Sequence, residues 1–468
     1  MNGKLGKGLL CVLIGVIIWF CPIPEGVKPV AWQLLSVFVA TIAAFILQPL
    51  SIGAVSLIAC TMLVLLGVLK PGDALAGFSN GTIWLIVSAF MFAEGFIKTG
   101  LGKRIAYVLL SKFGGSTLSV AYVLSATDFI VAPFTPSNTA RGGGIVYPIV
   151  RSICSAIGSE PGSSRERTGA FLIFSSYCAV ITSACIFLTG ASNNAVVVTL
   201  TKDMFGVELT WMSWFMACIV PGIVLSIGTP WLLYKLINPE LKETPETKEM
   251  ANRELAAMGS MSSAEKILSV IFTGALILWA TGNIHHIDSA FVALLGLSAM
   301  LITRILDWED VLNQKGAWDV LVWMGVLVNM AALLSKFELM SWFANLIGAQ
   351  MAGTSWIVML IILSVVYTYV HYGLASNTAH VMALFAAFAS ILVAAGAPPL
   401  GVAIVYGALA NSCSLLTHYG CGVTPIFFGA NFMPQGEWWK IGFIMTTVHV
   451  IVWMVIGLPW MGLLGFFK

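Results

Sequence analysis

TPSNTARGGGIVYPI, residues 135–149, interrupts an apolar stretch running from about 116 to 157. SNTAH, residues 376–380, interrupts a second one, from about 354 to 396. Each Ser-Asn-Thr triplet has an apolar arm before it and a helix-forming arm after it, Gly143 to Ser155 in the first case and Val381 to Ala395 in the second. Ser, Asn and Thr are preferred helix N-caps, because their side chains accept from free backbone N–H groups. Each triplet therefore reads as the start of a return arm, and each stretch as a re-entrant hairpin. One SNT tripeptide is weak evidence. Two SNTA tetrapeptides at corresponding places in two halves form a repeat.

The surrounding chain is 59% hydrophobic and 9% charged, against roughly 25% charged in soluble domains. So few charges cannot cover a water-soluble surface, so much of the outside faces lipid. The net charge of +2 gives no reason to expect a nucleic-acid partner, and the nine cysteines show neither a CxxC pair nor metal spacing with His. A spanning helix needs about 20 apolar residues. Candidates lie near 8–23, 30–49, 53–69 and 81–98, then at 169–190 with a further piece at 194–205, and at 211–237. The second half offers 267–282, 288–305, 318–336, a broken segment at 397–430, and 439–466. Lys4 and Lys7 before the first apolar run resemble a signal peptide, but no small-residue cleavage pattern follows, so a first span is expected.

The polar run 238–266 divides the chain. It separates N-terminal helices (1–52) and a first repeat (53–237, with hairpin 116–157) from a second repeat (267–468, with hairpin 354–396). With a cytoplasmic N-terminus and two hairpins, 17 of the 23 basic residues fall inside. Lys28, Lys70, Lys202, Lys336 and Lys468 fall outside, and Arg141 alone is left at depth. This positive-inside bias predicts an all-α membrane protein of about 11 transmembrane helices plus two re-entrant hairpins, with the C-terminus outside. The hairpins open to opposite sides, so the repeats have inverted topology. That arrangement, with discontinuous helices, marks secondary transporters that bind substrate near the midplane.

A helix start leaves unpaired N–H groups and about half a positive charge, which suits carboxylates. Irregular backbone at bilayer depth must be buried in protein or line a wet cavity. Ser137, Asn138 and Thr139 at one tip, and Ser376, Asn377 and Thr378 at the other, are thus candidate substrate ligands. Thr189 and Asn193 at the first helix break, and Thr417 and His418 at the second, join them. Two anion-binding tips suit a substrate with two carboxylates, though they could also share one phosphate or sulfate. Arg141 and its counterpart His380 are candidate charge-compensating residues beside the tips. The competing reading for Arg141 is a structural pair with an acid at depth, Asp128 or Glu94. His371 also lies near the second tip, whereas His285 and His286 read as solvated loop residues.

The paired SNT motifs and the two-half plan resemble the divalent anion/sodium symporter family over nearly the whole chain. TPSNTARGGGIVYPI and THYG (417–420) are similar to its exchanger branch, the citrate/succinate and 2-oxoglutarate/malate carriers. The resemblance implies an elevator mechanism, with a dimerising scaffold and a transport domain holding the hairpins and broken helices. In sodium-coupled members the same loops also hold sodium. Small hydroxyl residues typically stand four positions before each SNT serine there. This chain has Pro133 and Tyr372 at those places, which counts against sodium, so no cofactor or metal is expected. The expected function is sodium-independent exchange of dicarboxylates (four-carbon acids, 2-oxoglutarate or citrate) by a homodimer in the cell inner membrane. The alternative is a sodium-coupled symporter. An enzyme or anion channel is remote: no HExxH or nucleotide-binding loop is present, and polar residues gather at four breaks rather than along a pore.

Overall fold

The computed structural model describes residues 2–339, 342, 346 and 355–467. Residue 354, the expected start of the second hairpin, and Lys468 lie outside the described residues. The regular elements described are all helical. Among the described residues, twelve helices are long and apolar enough to cross a membrane. Three of these (Thr117–Phe134, Trp356–Gly373 and Asn377–Ala394) are hairpin arms. The other nine, with the shorter apolar helices Ile52–Leu65 and Ser289–Ile302, match the eleven expected spans.

The order of elements repeats. A hairpin (Thr117–Val131 going in, Tyr147–Ala156 coming out) is followed by a broken helix (Gly169–Ile186 and Ser192–Phe205) and a long helix, Trp211–Ile237. In the second half, Trp356–Tyr369 and Ala386–Ala394 are the arms. Pro399–Ser412 and Thr424–Phe428 form the broken helix, and Gln435–Val452 begins the closing one.

Ion pairs sort the loops into two faces. On one lie Lys98–Asp310, Arg104–Glu265 (2.5 Å), Arg151–Glu160 and Arg165–Glu437 (2.8 Å). On the other lie Lys28–Glu338 (2.6 Å) and Lys202–Glu208 (3.1 Å). Both ends of the first hairpin are stitched to the 238–244 segment: Thr117 N–H donates to the Lys242 carbonyl (2.9 Å), and Glu240 N–H to that of Glu166 (3.0 Å). The helix Lys315–Lys336 runs from the Asp310 face to the Glu338 face, and at the start of the second hairpin Trp356 packs on Phe467, at the far end of the closing helix from the Arg165–Glu437 pair. The two hairpins therefore open on opposite faces.

Some helices have no counterpart in the apolar pattern, Leu101–Phe113 among them. Leu101–Phe113 is amphipathic and buries Leu101, Ala106, Tyr107 and Leu110. It packs on Pro245–Met258, the helix within the polar linker. Arg104 ties the two by donating to the Gly259 and Met258 carbonyls (2.9 and 3.4 Å) as well as to Glu265.

Candidate functional site

Both tips begin with a serine cap. Ser137 Oγ accepts from Ala140 N–H (3.1 Å), and Ser376 Oγ from Ala379 N–H (3.3 Å). After each cap the return arm widens into π-helical turns, Thr139–Val146 and Val381–Phe385. Such turns are rare and gather at functional sites. Gly142, Gly143 and Gly144 supply the slack in the first. A β-carbon on Gly142 would lie 2.6 Å from Val423 Cγ2, so the arm packs closely against the other repeat.

Each tip meets the break of its own repeat, and the breaks meet each other. Thr189 donates to the Pro133 carbonyl. Ser414 Oγ shares its one hydrogen between Asn377 Oδ1 (2.8 Å) and the Asn411 carbonyl (2.7 Å), and Tyr419 Oη donates to the Tyr372 carbonyl (2.9 Å). Across the repeats, Asn411 Nδ2 donates to Asn194 Oδ1 (2.8 Å). Tyr177 Oη reaches the Ser414 carbonyl (2.6 Å) and Thr424 Oγ1 (2.8 Å). A β-carbon at Gly422 would stand 2.6 Å from Thr139 Oγ1, which places the first tip against the second break. Because the breaks lie partway along their helices, both tips end at depth.

The two asparagines share an arrangement. Asn138 Oδ1 accepts from Arg141 Nη2 (3.3 Å), and Asn377 Oδ1 from Ser414. Their oxygens are tied down, and among the described residues neither amide nitrogen has a protein partner. Ser137, Asn138, Ser376 and Thr378 are half-buried, Thr139 is exposed and Asn377 is buried. Asn193 Nδ2 and Thr417 Oγ1, predicted from the breaks, are buried without partners. A buried donor without an acceptor costs about 1–3 kcal/mol. Together these groups form a set of donors with no cation among them, chemistry suited to carboxylate oxygens.

Two expected residues are placed differently. Arg141 is not a free cation beside the tip: it is fully buried and spends every N–H on protein. Its Nε pairs with Asp128 (2.9 Å), Nη1 donates to the Thr135 and Gly190 carbonyls (2.8 and 2.9 Å), and Nη2 donates to Val180 O (2.9 Å) and Asn138. The ion pair holds an otherwise prohibitive charge at depth. Glu94, the other candidate acid, accepts from Gln314 (2.5 Å) instead. Thr189 is also spent, since its hydroxyl donates to Pro133 and accepts from Trp211 Nε1 (3.1 Å). It joins tip to break and has no hydrogen left for a substrate.

His380 is likewise fully buried, with Nδ1 3.1 Å from His371 Nδ1. His371 Nε2 faces the Gly420 carbonyl at 2.8 Å. His418 is half-buried, its Nδ1 accepting from Trp439 Nε1 (2.9 Å). That bond fixes the neutral ring with its proton on Nε2, as a donor. The sequence reading missed Tyr177 and Asn411. Their signal was a polar side chain inside an apolar helix leading to a break.

Comparison with known proteins matches these features to one family. The model of the sodium:sulfate symporter transmembrane region covers residues 3–467. A putative malate transporter of Bacillus subtilis is 46% identical over 99% of this chain and 97% of its own. A chloroplastic dicarboxylate transporter of Spinacia oleracea is 41% identical over 98% of this chain and 81% of its own. The crystal structure of the YdaH transporter of Alcanivorax borkumensis aligns with a TM-score of 0.53 at 12% identity, over 98% of this chain and 97% of that one. At that identity the likeness is one of fold. The family match and these long, close alignments show that the chain is a membrane transport protein, not an enzyme, and belongs to the divalent anion/sodium symporter family.

Proposed function

We propose that the chain exchanges dicarboxylates across the membrane, one for one and without sodium, by an elevator movement. The observation that carries the reading is the pair of tips whose Asn138 and Asn377 are anchored by oxygen and present free amide N–H groups. Each stands at a helix start that favours an anion, so each tip takes one carboxylate, with His418 Nε2–H and Thr417 as further donors. The malate and dicarboxylate names of the relatives agree with a two-carboxylate substrate.

Sodium independence follows from Arg141. The Thr135, Val180 and Gly190 carbonyls converge on its guanidinium, an oxygen cage of the kind a sodium ion would use. A tethered, permanently charged group fills it, so no sodium gradient is read there. Asp128 neutralises this charge, so it does not balance the substrate's. Exchange follows from the donors instead: an empty site would cross with Asn193 and Thr417 unpaired and two helix starts bare, a cost that bound substrate removes.

The transport body in this reading holds the hairpins and broken helices. It slides on an aromatic seam where Phe134 stacks on Phe272 (4.5 Å) and on Trp279 (6.4 Å). The apolar cleft of about 490 Å³ beside the seam, lined by Phe129, Phe187 and Met212 among others, lacks the donors to hold a dianion. We place the face of Lys98 and Arg104 in the cytoplasm, with the N-terminus inside and the C-terminus outside a cell inner membrane, and the scaffold in a homodimer.

Thermal stabilisation of detergent-purified protein by malate, succinate or 2-oxoglutarate tests the substrate class. Stabilisation equal with and without sodium, and lost in Asn138→Ala and in Asn377→Ala, is the expected result. Stabilisation only in sodium would replace exchange with symport.

A further inference from the structure

We infer a site for one soft divalent metal ion, zinc being the natural occupant, held by His371, His380 and Cys413 behind the second tip. One donor atom from each lies within 4.8 Å of the others, and all three residues are fully buried. The imidazole Nδ1 atoms face each other at 3.1 Å. Two nitrogens bound to a tetrahedral zinc ion stand about 3.4 Å apart, so the rings need only a small adjustment. The carbonyl of Gly420 can only accept, so His371 carries its proton on Nε2 and turns its Nδ1 lone pair toward the cluster. A metal-bound histidine almost always donates its other N–H in this way. His380 Nδ1–H must then donate to His371, which leaves His380 Nε2 a bare lone pair, and that atom has no partner.

Metal binding replaces the shared proton. His380's proton moves from Nδ1 to Nε2, breaking no other hydrogen bond. Cys413, which now donates only to the Ala410 carbonyl (3.2 Å), binds as thiolate, and its proton leaves to solvent. Two imidazoles and a thiolate suit zinc or cobalt and disfavour magnesium and calcium. Three protein ligands leave the fourth position for water or a carboxylate oxygen.

The donors come from three places: the inbound arm (His371), the outbound arm (His380) and the 3₁₀ turn at the second break (Cys413). Sequence separations of this kind match no metal motif, so only the fold assembles the cluster. A bound ion would pin the hairpin to the broken helix and hold the tip in one position, making the metal an inhibitor of transport. The inference is independent of which anion is carried.

The test uses the full-length protein in detergent and Co²⁺ or Zn²⁺ alone. Co²⁺ should bind one per chain with a thiolate charge-transfer band, release one proton, and be displaced by Zn²⁺, which should raise the thermal midpoint. Cys413→Ser should lose the band, and His371→Asn should weaken binding by at least about 10- to 100-fold, the effect of losing an outer-shell partner alone. Cys421→Ser, which alters a neighbouring buried thiol, should keep both. Should a cluster variant fail to fold, X-ray absorption of zinc-loaded wild type decides: one sulfur and two imidazole ligands support the site, and a set without sulfur overturns it. No stoichiometric Co²⁺ binding by the wild type, or binding unchanged in Cys413→Ser and His371→Asn, overturns it.

Discussion

At the scale of single residues, the two asparagines and the buried arginine divide the work. In the proposed function Asn138 and Asn377 hold the substrate, so either alanine variant should lose most dicarboxylate stabilisation while the folded protein remains, as size-exclusion profiles and thermal midpoints would check. Asp128 does something else: it keeps Arg141 in its carbonyl cage. Asp128→Asn leaves a buried guanidinium without its counter-charge, a change worth about 3–5 kcal/mol, and should lower the thermal midpoint with or without substrate. Serine, asparagine and threonine at the tips could be read from the sequence because capping chemistry is local. The state of Arg141 could not, since its acceptors, Gly190 and Val180, are distant in the chain and are backbone atoms, which residue identity does not reveal. Asp128 was visible only as one of two acids at depth.

At the scale of elements, the hairpins work because their return arms fit closely against the opposite break. Gly422→Ala would push a β-carbon against Thr139. Overpacking of this sort costs typically about 1–3 kcal/mol, and here it bears on the tip. The variant should fold, bind substrate several-fold more weakly, and carry it slowly, as titration and flux together would show. The apolar runs that span a membrane are plain in the sequence because lipid demands them. The amphipathic helix Leu101–Phe113 was not, because Lys103, Arg104 and Lys112 interrupt any run; its apolar residues recur at helical spacing and face the linker helix. The widened turns after both caps leave no signature either, beyond the three glycines of the first.

At the scale of the whole molecule, the proposed sliding of one transport body past a scaffold would account for the aromatic seam. In a background without native cysteines, a short thiol crosslinker joining Phe134→Cys to Phe272→Cys should stop flux and leave substrate stabilisation intact; unimpeded flux would argue against sliding there. The most direct test of the central claim is counterflow in liposomes of purified protein, loaded with unlabelled succinate or empty, following labelled succinate with and without external sodium. Uptake into loaded vesicles alone, the same with and without sodium, is the predicted result. Uptake into empty vesicles driven by a sodium gradient would contradict it, and Arg141 would then be a structural pin with no bearing on coupling.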